Sequence, residues 1–208
     1  MQDIFTLLLI GVLIASVISF VVMGLRQLCR TNSLTRKAHE MDLKFSSSDH
    51  FDVPRRYGDF FLVSGGHGPR ASNVTYGHIL GAPVRAFDFR CEVGHATRRV
   101  TRHYAVVALK LRSAIGNLVM HHVDDAQGRG LFDGMGDRTI ESWSCRGDLN
   151  LAPLLAEACG VLADQIISVE VRQDIIMLSV PIEKRRQDYT ALLACAEPVL
   201  KSIENCYT

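Results

Sequence analysis

The sequence predicts an α+β protein with an N-terminal transmembrane helix. Three observations carry this. Residues 4–25 hold no charged side chain. Residues 73–123 alternate apolar and polar side chains at period two, as half-buried strands do. Residues 151–162 and 189–203 place apolar side chains at i, i+3, i+4 and i+7, as helices with one buried face do.

The first element is the apolar run. As a helix rising about 1.5 Å per residue it would reach roughly 33 Å, against a hydrocarbon core of about 30 Å. Its polar side chains are the hydroxyls of Thr6, Ser16 and Ser19, which can bond a carbonyl one turn back. No Lys or Arg precedes it, and Arg26, Arg30, Arg36 and Lys37 follow it. A cleaved signal peptide would have a basic start and a shorter apolar stretch, so an uncleaved anchor is expected. The positive flank places the N-terminus outside and the C-terminal domain in the cytoplasm, giving a single-pass protein of the cell membrane. The organisation expected is a tail and transmembrane helix over 1–25 (span 4–25), a basic juxtamembrane stalk over 26–44 and a soluble α+β domain over 45–208. The lipid bilayer is the partner of residues 4–25. Gly11, Ala15 and Ser19 recur every four residues and offer one close-packing face for self-association.

The remainder bounds the function classes. Beyond Leu25 lie all 23 Lys and Arg and 21 of the 22 Asp and Glu, a formal charge of +2. That balance argues against a dedicated nucleic-acid binder, which carries a strong basic excess on one face. The six cysteines, Cys29, Cys91, Cys145, Cys159, Cys195 and Cys206, show no CxxC or other tight spacing. They read as reduced, mostly buried thiols. Asn73-Val74-Thr75 is a glycosylation sequon without meaning in a cytosolic domain.

Along the domain, Leu43–Phe45 alternates briefly before Ser46–Asp49 breaks the pattern. Pro54 suits the first turn of a short helix. Phe60–Val63 must be buried, and Ser64–Pro69 is a glycine-rich loop. Asn73–Leu80, Pro83–Val93, Arg98–Arg112 and Leu118–Val123 form an antiparallel β-meander. Phe87, Phe89, Cys91 and Val93 share one face of their strand, and Asp88, Arg90 and Glu92 the other. Asp124–Asp137 is loop, and Thr139–Cys145 a further strand with the single Trp143. An amphipathic helix then runs to about Leu162, capped by Asp148 or Asn150. Ile166–Val171 and Ile175–Val180 form a β-hairpin. A C-terminal helix follows, capped by Asp188 and kinked at Pro198.

Candidate chemistry is sparse. His121 and His122 adjoin on a strand and so point to opposite faces, unable to share one ion. If the turn after Val93 pairs that residue with Arg98, Asp88 falls opposite His103. A carboxylate beside an imidazole can orient a base or a metal ligand, and can equally be a cross-strand charge pair. No third ligand stands at suitable spacing and no HExxH or zinc pattern exists, so no catalytic, cofactor or metal residue is assigned and no cofactor is expected. Gly65-Gly66-His67-Gly68 lacks the Lys-Ser/Thr ending of a phosphate loop and reads as a turn. Arg55-Arg56, Arg98-Arg99 with Arg102, and Lys184-Arg185-Arg186 are basic clusters with acidic neighbours at Asp52, Glu92 and Glu183.

The stretches FDVPRRYGDF, NVTYGHILGAPVRAFDFRCEVG, WSCRGDLNLAPLL and VEVRQDIIML resemble a group of uncharacterised bacterial proteins. Those proteins have one spanning helix and a small α+β domain of unknown function. The core of the resemblance is Asn73, Gly77 and Gly81 at four-residue spacing, then Phe87-Asp88-Phe89. It implies no activity, cofactor or catalytic residue. The function expected is a membrane-anchored, non-enzymatic binding or scaffold domain. The alternatives are a tethered hydrolase built on Asp88 and His103, and a sensor of anionic lipid or nucleic acid built on Arg98–Arg102. A deep pocket converging on Asp88 and His103 would favour the hydrolase, and a positive face without acidic relief the sensor.

Overall fold

A computed structural model describes residues 2–94, 96–123, 131–132, 138–140, 142–160, 167–182 and 189–207, without the side chains of 2–8, 23, 26, 27, 97 and 204–207. The elements are α1 (Gln2–Glu40), β1 (Lys44–Ser48), α2 (Val53–Arg56), α3 (Phe61–Ser64), β2 (His67–Ile79), β3 (Ala82–Val93), a 3₁₀ turn (Ala96–Arg98), β4 (Val100–Lys110), β5 (Gly116–His122), β6 (Arg138–Ile140), β7 (Trp143–Gly147), α4 (Leu151–Cys159), β8 (Ser168–Gln173), β9 (Ile175–Pro181) and α5 (Thr190–Tyr207).

The transmembrane helix is corrected. Among the described residues no helix is long and apolar enough to cross a membrane. α1 runs for 39 residues. The single-pass cell-membrane placement, with its outside N-terminus and cytoplasmic domain, depended on the span at 4–25 and falls with it. The last third of α1 belongs to the folded core. Leu34 and Ala38 are buried there with Leu43, and Lys37 Nζ donates to Thr190 Oγ1 of α5 at 3.2 Å.

The strands among the described residues join one sheet in the order β1-β2-β3-β4-β9-β8-β5-β7-β6, every pair antiparallel. The expected meander therefore ends at β4. Its next neighbour is β9, and the β8–β9 hairpin separates β4 from β5. The cause is in β9 itself. Ile175–Val180 is apolar on both sides apart from Ser179, which suits a strand covered on both faces at the centre of a sheet. Ile176–Pro181 is buried throughout.

Two cores result. On one face α1, α4 and α5 cover Val84, Ala86, Ala105, Val107, Leu118 and Leu178. On the other, α2, α3 and Leu131-Phe132 cover Phe87, Phe89, Cys91, Tyr104, Val106 and Met177. The alternation of β3 and β4 sorts their side chains between these cores.

Other departures have local causes. Ser46–Ser48 extends β1 rather than ending it, because an edge strand needs backbone pairing on one side only. The glycine-rich stretch is half strand: β2 starts at His67 and absorbs an extra residue before Arg70, with Gly68 at φ 57 taking the left-handed position of the bulge. Thr139–Cys145 is two short strands, β6 and β7, paired as Ile140 with Trp143. The Lys184–Arg186 cluster, the Asp188 cap and the helix end at residues 161–162 lie outside the described residues. Asn150 makes no side-chain cap bond; Asp148 Oδ2 instead accepts the Asn117 N–H at 2.8 Å.

Gly147 at the end of β7 adopts φ 107, and a Cβ there would run into the Asn117 carbonyl oxygen. Gly147→Ala is expected to lower stability by about 1–3 kcal/mol, read as an earlier midpoint in urea denaturation.

Candidate functional site

Among the described residues, polar side chains converge on the β2–β4 part of the sheet beside α1. Three features of the chain build it. The first is a bulge in β2 between Ser72 and Thr75, where β2 carries one residue more than β3. Asn73 takes the extra position at φ 51, a left-handed conformation that Asn tolerates better than most residues. There it is buried, and its Nδ2 donates to Asp88 Oδ2 at 2.8 Å. The sequon asparagine is thus committed to the interior.

The second feature is Arg30, four residues before the buried Leu34 on α1. Its Nη2 donates to Asp88 Oδ1 at 2.7 Å and its Nε to Asp88 Oδ2 at 3.1 Å. The pair is bidentate and half-shielded, with side-chain exposures of 30% and 14%. Such a fork-to-carboxylate geometry is the strong form of an ion pair.

The third feature is register. Val93 pairs with Val100, not Arg98, because the 3₁₀ turn lengthens the connection by two residues. Asp88 consequently faces Ala105, and His103 faces Arg90. A two-residue shift leaves faces unchanged, so Asp88 and His103 still share a surface, as diagonal neighbours. Among the described residues they make no hydrogen bond with each other. The same register aligns Arg70, Arg90 and His103 in one row across β2, β3 and β4.

These groups line an open cavity of about 520 Å³ together with Ile182. Its charge is lopsided. Asp88 is the sole carboxylate among its lining residues and is held by Arg30 and Asn73. Glu92, the next acid on that face of β3, pairs with Arg99 at 3.7 Å. Arg70 and Arg90 make no ion pair or hydrogen bond among the described residues. Like charges directly opposite across strands are destabilising, and the row survives because both side chains are exposed. His103 titrates below its ordinary range, because burial and then Arg90 disfavour its cation more than Asp88 favours it, with Arg30 adding to the lowering.

A second, separate polar feature is Glu170 on β8. It is 2% exposed. Its Oε2 and Oε1 accept the N–H groups of Phe61 and Leu62 at 2.7 and 2.8 Å, tying off the start of α3. Burial pushes its carboxyl up to about 7 against the opposing pull of those bonds and of Arg172. Arg172 also lies over the Phe61 ring, its guanidinium carbon 5.3 Å from the centroid. Glu170 is a structural clasp inside the second core, remote from the Arg row.

The remaining candidates separate. His121 stacks on Phe132 and His122 meets Trp143 edge-on, at 5.2 and 5.7 Å between centroids. Among the described residues no group of three or more His, Cys, Asp or Glu side chains could hold a metal ion. Cys91, Cys145, Cys159 and Cys195 are buried and free, and Cys29 is exposed and free; the Cys206 side chain lies outside the described residues. Burial raises the first four, Cys91 to about 11 and Cys159 to about 12, away from nucleophilic thiolates. A second cavity of about 380 Å³ between α4 and β5–β7 is lined chiefly by apolar groups such as Met120, Trp143 and Ala152.

The fold is similar to that of the mycobacterial trehalose monomycolate transport factor A, TtfA. The superposition has a TM-score of 0.53 at 15% sequence identity and covers 84% of this chain and 92% of TtfA. At that identity the likeness is one of fold, shared with a bacterial protein. No family model matches the chain, and no curated protein matches it in sequence.

Proposed function

We propose that the chain is a non-enzymatic binding domain that takes an anionic group into the cavity between α1 and β2–β4. One observation carries this reading: Arg70 and Arg90 face each other on adjacent strands, while both nearby carboxylates are engaged by other arginines. An unneutralised pair of guanidiniums in a concave site attracts anions. The similar fold of TtfA, a protein named as a transport factor, accords with a domain that holds a molecule rather than transforms it.

The hydrolytic alternative needs Asp88 turned toward His103. Both Asp88 oxygens are instead spent on Arg30 and Asn73. The sensor built on Arg98–Arg102 needs a basic face without acidic relief, and Glu92 supplies that relief to Arg99.

The test is an amide-shift titration of ¹⁵N-labelled protein with citrate at pH 7. Perturbations are expected at residues 70–73, 88–90 and 103. Shifts that are absent, or that gather at the Arg55-Arg56 or Arg98–Arg102 clusters, would sink the proposal.

A further inference from the structure

We infer that the group bound is a phosphoryl group, gripped between the guanidiniums of Arg70 and Arg90 with the His103 imidazole as its third contact. This rests on the anion-binding reading and names its ligand. The argument is one of counting donors and charge. Directly opposed residues on neighbouring antiparallel strands stand about 5 Å apart, so the row Arg70–Arg90–His103 spans roughly 10 Å. A carboxylate bound by one arginine fork turns both oxygens and its single charge to that fork. Asp88 does so with Arg30 within the same cavity, its Oδ2 also accepting from Asn73. A carboxylate ligand held by one fork of the row would leave the second guanidinium charge unbalanced. A phosphate monoester has three terminal oxygens and nearly two negative charges at neutral pH. It can accept from both forks and from an imidazole N–H together, and its charge balances Arg70 and Arg90.

His103 fits the third place. Partial burial and then Arg90 disfavour its cation, and in either protonation state the imidazole offers an N–H donor. The neighbouring charges acting on it, Arg90, Asp88 and Arg30, are those already described, and Ile182 is an aliphatic side chain among the lining. The cavity of about 520 Å³ leaves room for the body of the ester beyond its phosphoryl group. The same chemistry is offered by a free phosphate monoester and by a phospholipid headgroup.

The experiment is calorimetric titration of the full chain with glycerol 3-phosphate, succinate and acetate. In a parallel arm the chain is sedimented with phosphatidylcholine vesicles with or without phosphatidic acid. Glycerol 3-phosphate is expected to bind at least about tenfold tighter than succinate. Arg70→Ala and Arg90→Ala should each weaken it by roughly 10- to 100-fold, with Arg56→Ala unchanged and circular dichroism of all three as in the parent. Binding to phosphatidic acid vesicles alone, lost in both variants, also supports the inference and puts the phosphoryl group on a lipid. Equal binding of succinate and glycerol 3-phosphate, lost in both variants, overturns the phosphoryl assignment and leaves the anion reading standing. Phosphate binding that survives both substitutions overturns the assigned site. No binding of any anion or vesicle overturns both.

Discussion

Glu170→Ala is expected to lower stability by on the order of 4 kcal/mol, because it orphans two buried backbone donors at about 1–3 kcal/mol each. The donors are the N–H groups of Phe61 and Leu62, and Leu62 has no exposure through which water could replace the carboxylate. Glu170→Gln keeps one acceptor and turns an NH₂ toward the other N–H, costing about 1–3 kcal/mol. The pH dependence separates the two variants from a generic core defect. The folded carboxyl titrates at about 7 against 4.5 when unperturbed. The folded protein therefore binds more protons than the unfolded chain between those values. Its contribution to stability is complete below about pH 4.5, falls as pH rises toward 7, and is lost above that. The change is on the order of 3 kcal/mol for a shift of this size. Urea denaturation of the parent at pH 5 and pH 8 should show this loss, and Glu170→Gln should lack it. A variant with the parent's pH slope would assign the titration to another group.

Asp88→Ala has two effects of opposite sign. It removes the acceptor for Arg30 and Asn73, loosening the tie between α1 and β3 at a cost of about 1–3 kcal/mol. The pair is half-shielded, so its coupling in a double-mutant cycle with Arg30→Ala should exceed the 0.2–1 kcal/mol of about fully exposed pairs and stay below the 3–5 kcal/mol or so of broken buried ones. At the same time the cavity loses its carboxylate. Anions should bind the variant more tightly, although it is less stable. A purely structural ion pair would give the first effect without the second, and a His–Asp catalytic pair would give neither gain.

The sequence foretold the strands with strict alternation better than it foretold their neighbours. Phe87, Phe89, Cys91 and Val93 mark one face of β3, and Ala105, Val107 and Leu109 the opposite face of β4. Period two is a local property and survives folding. Strand order is not local: the insertion of β8–β9 between β4 and β5 follows from which hairpin is most apolar on both sides. The sequence holds that comparison, but alternation does not reveal it. Register failed for a related reason. Two extra residues in the 3₁₀ turn moved His103 from Asp88 to Arg90, and alternation cannot detect a shift of two. Glu170 could have been found. It lies opposite Met177 on a hairpin whose partner strand is apolar on both faces, so a carboxylate there had to be buried and satisfied. In the sequence Arg30 is a basic flank of the apolar run, because nothing within the helix shows its partner 58 residues away. The length and composition of the apolar run carry no sign of the burial of Leu34 and Ala38 at the far end of the same helix.

The most direct test of the cavity as an anion site is the affinity of Asp88→Asn for glycerol 3-phosphate relative to the parent, by calorimetry at low ionic strength. A unit charge a few ångströms from the ligand is worth about 1 kcal/mol even in water, so affinity should rise roughly three- to tenfold. An affinity that stays the same or falls would contradict the account.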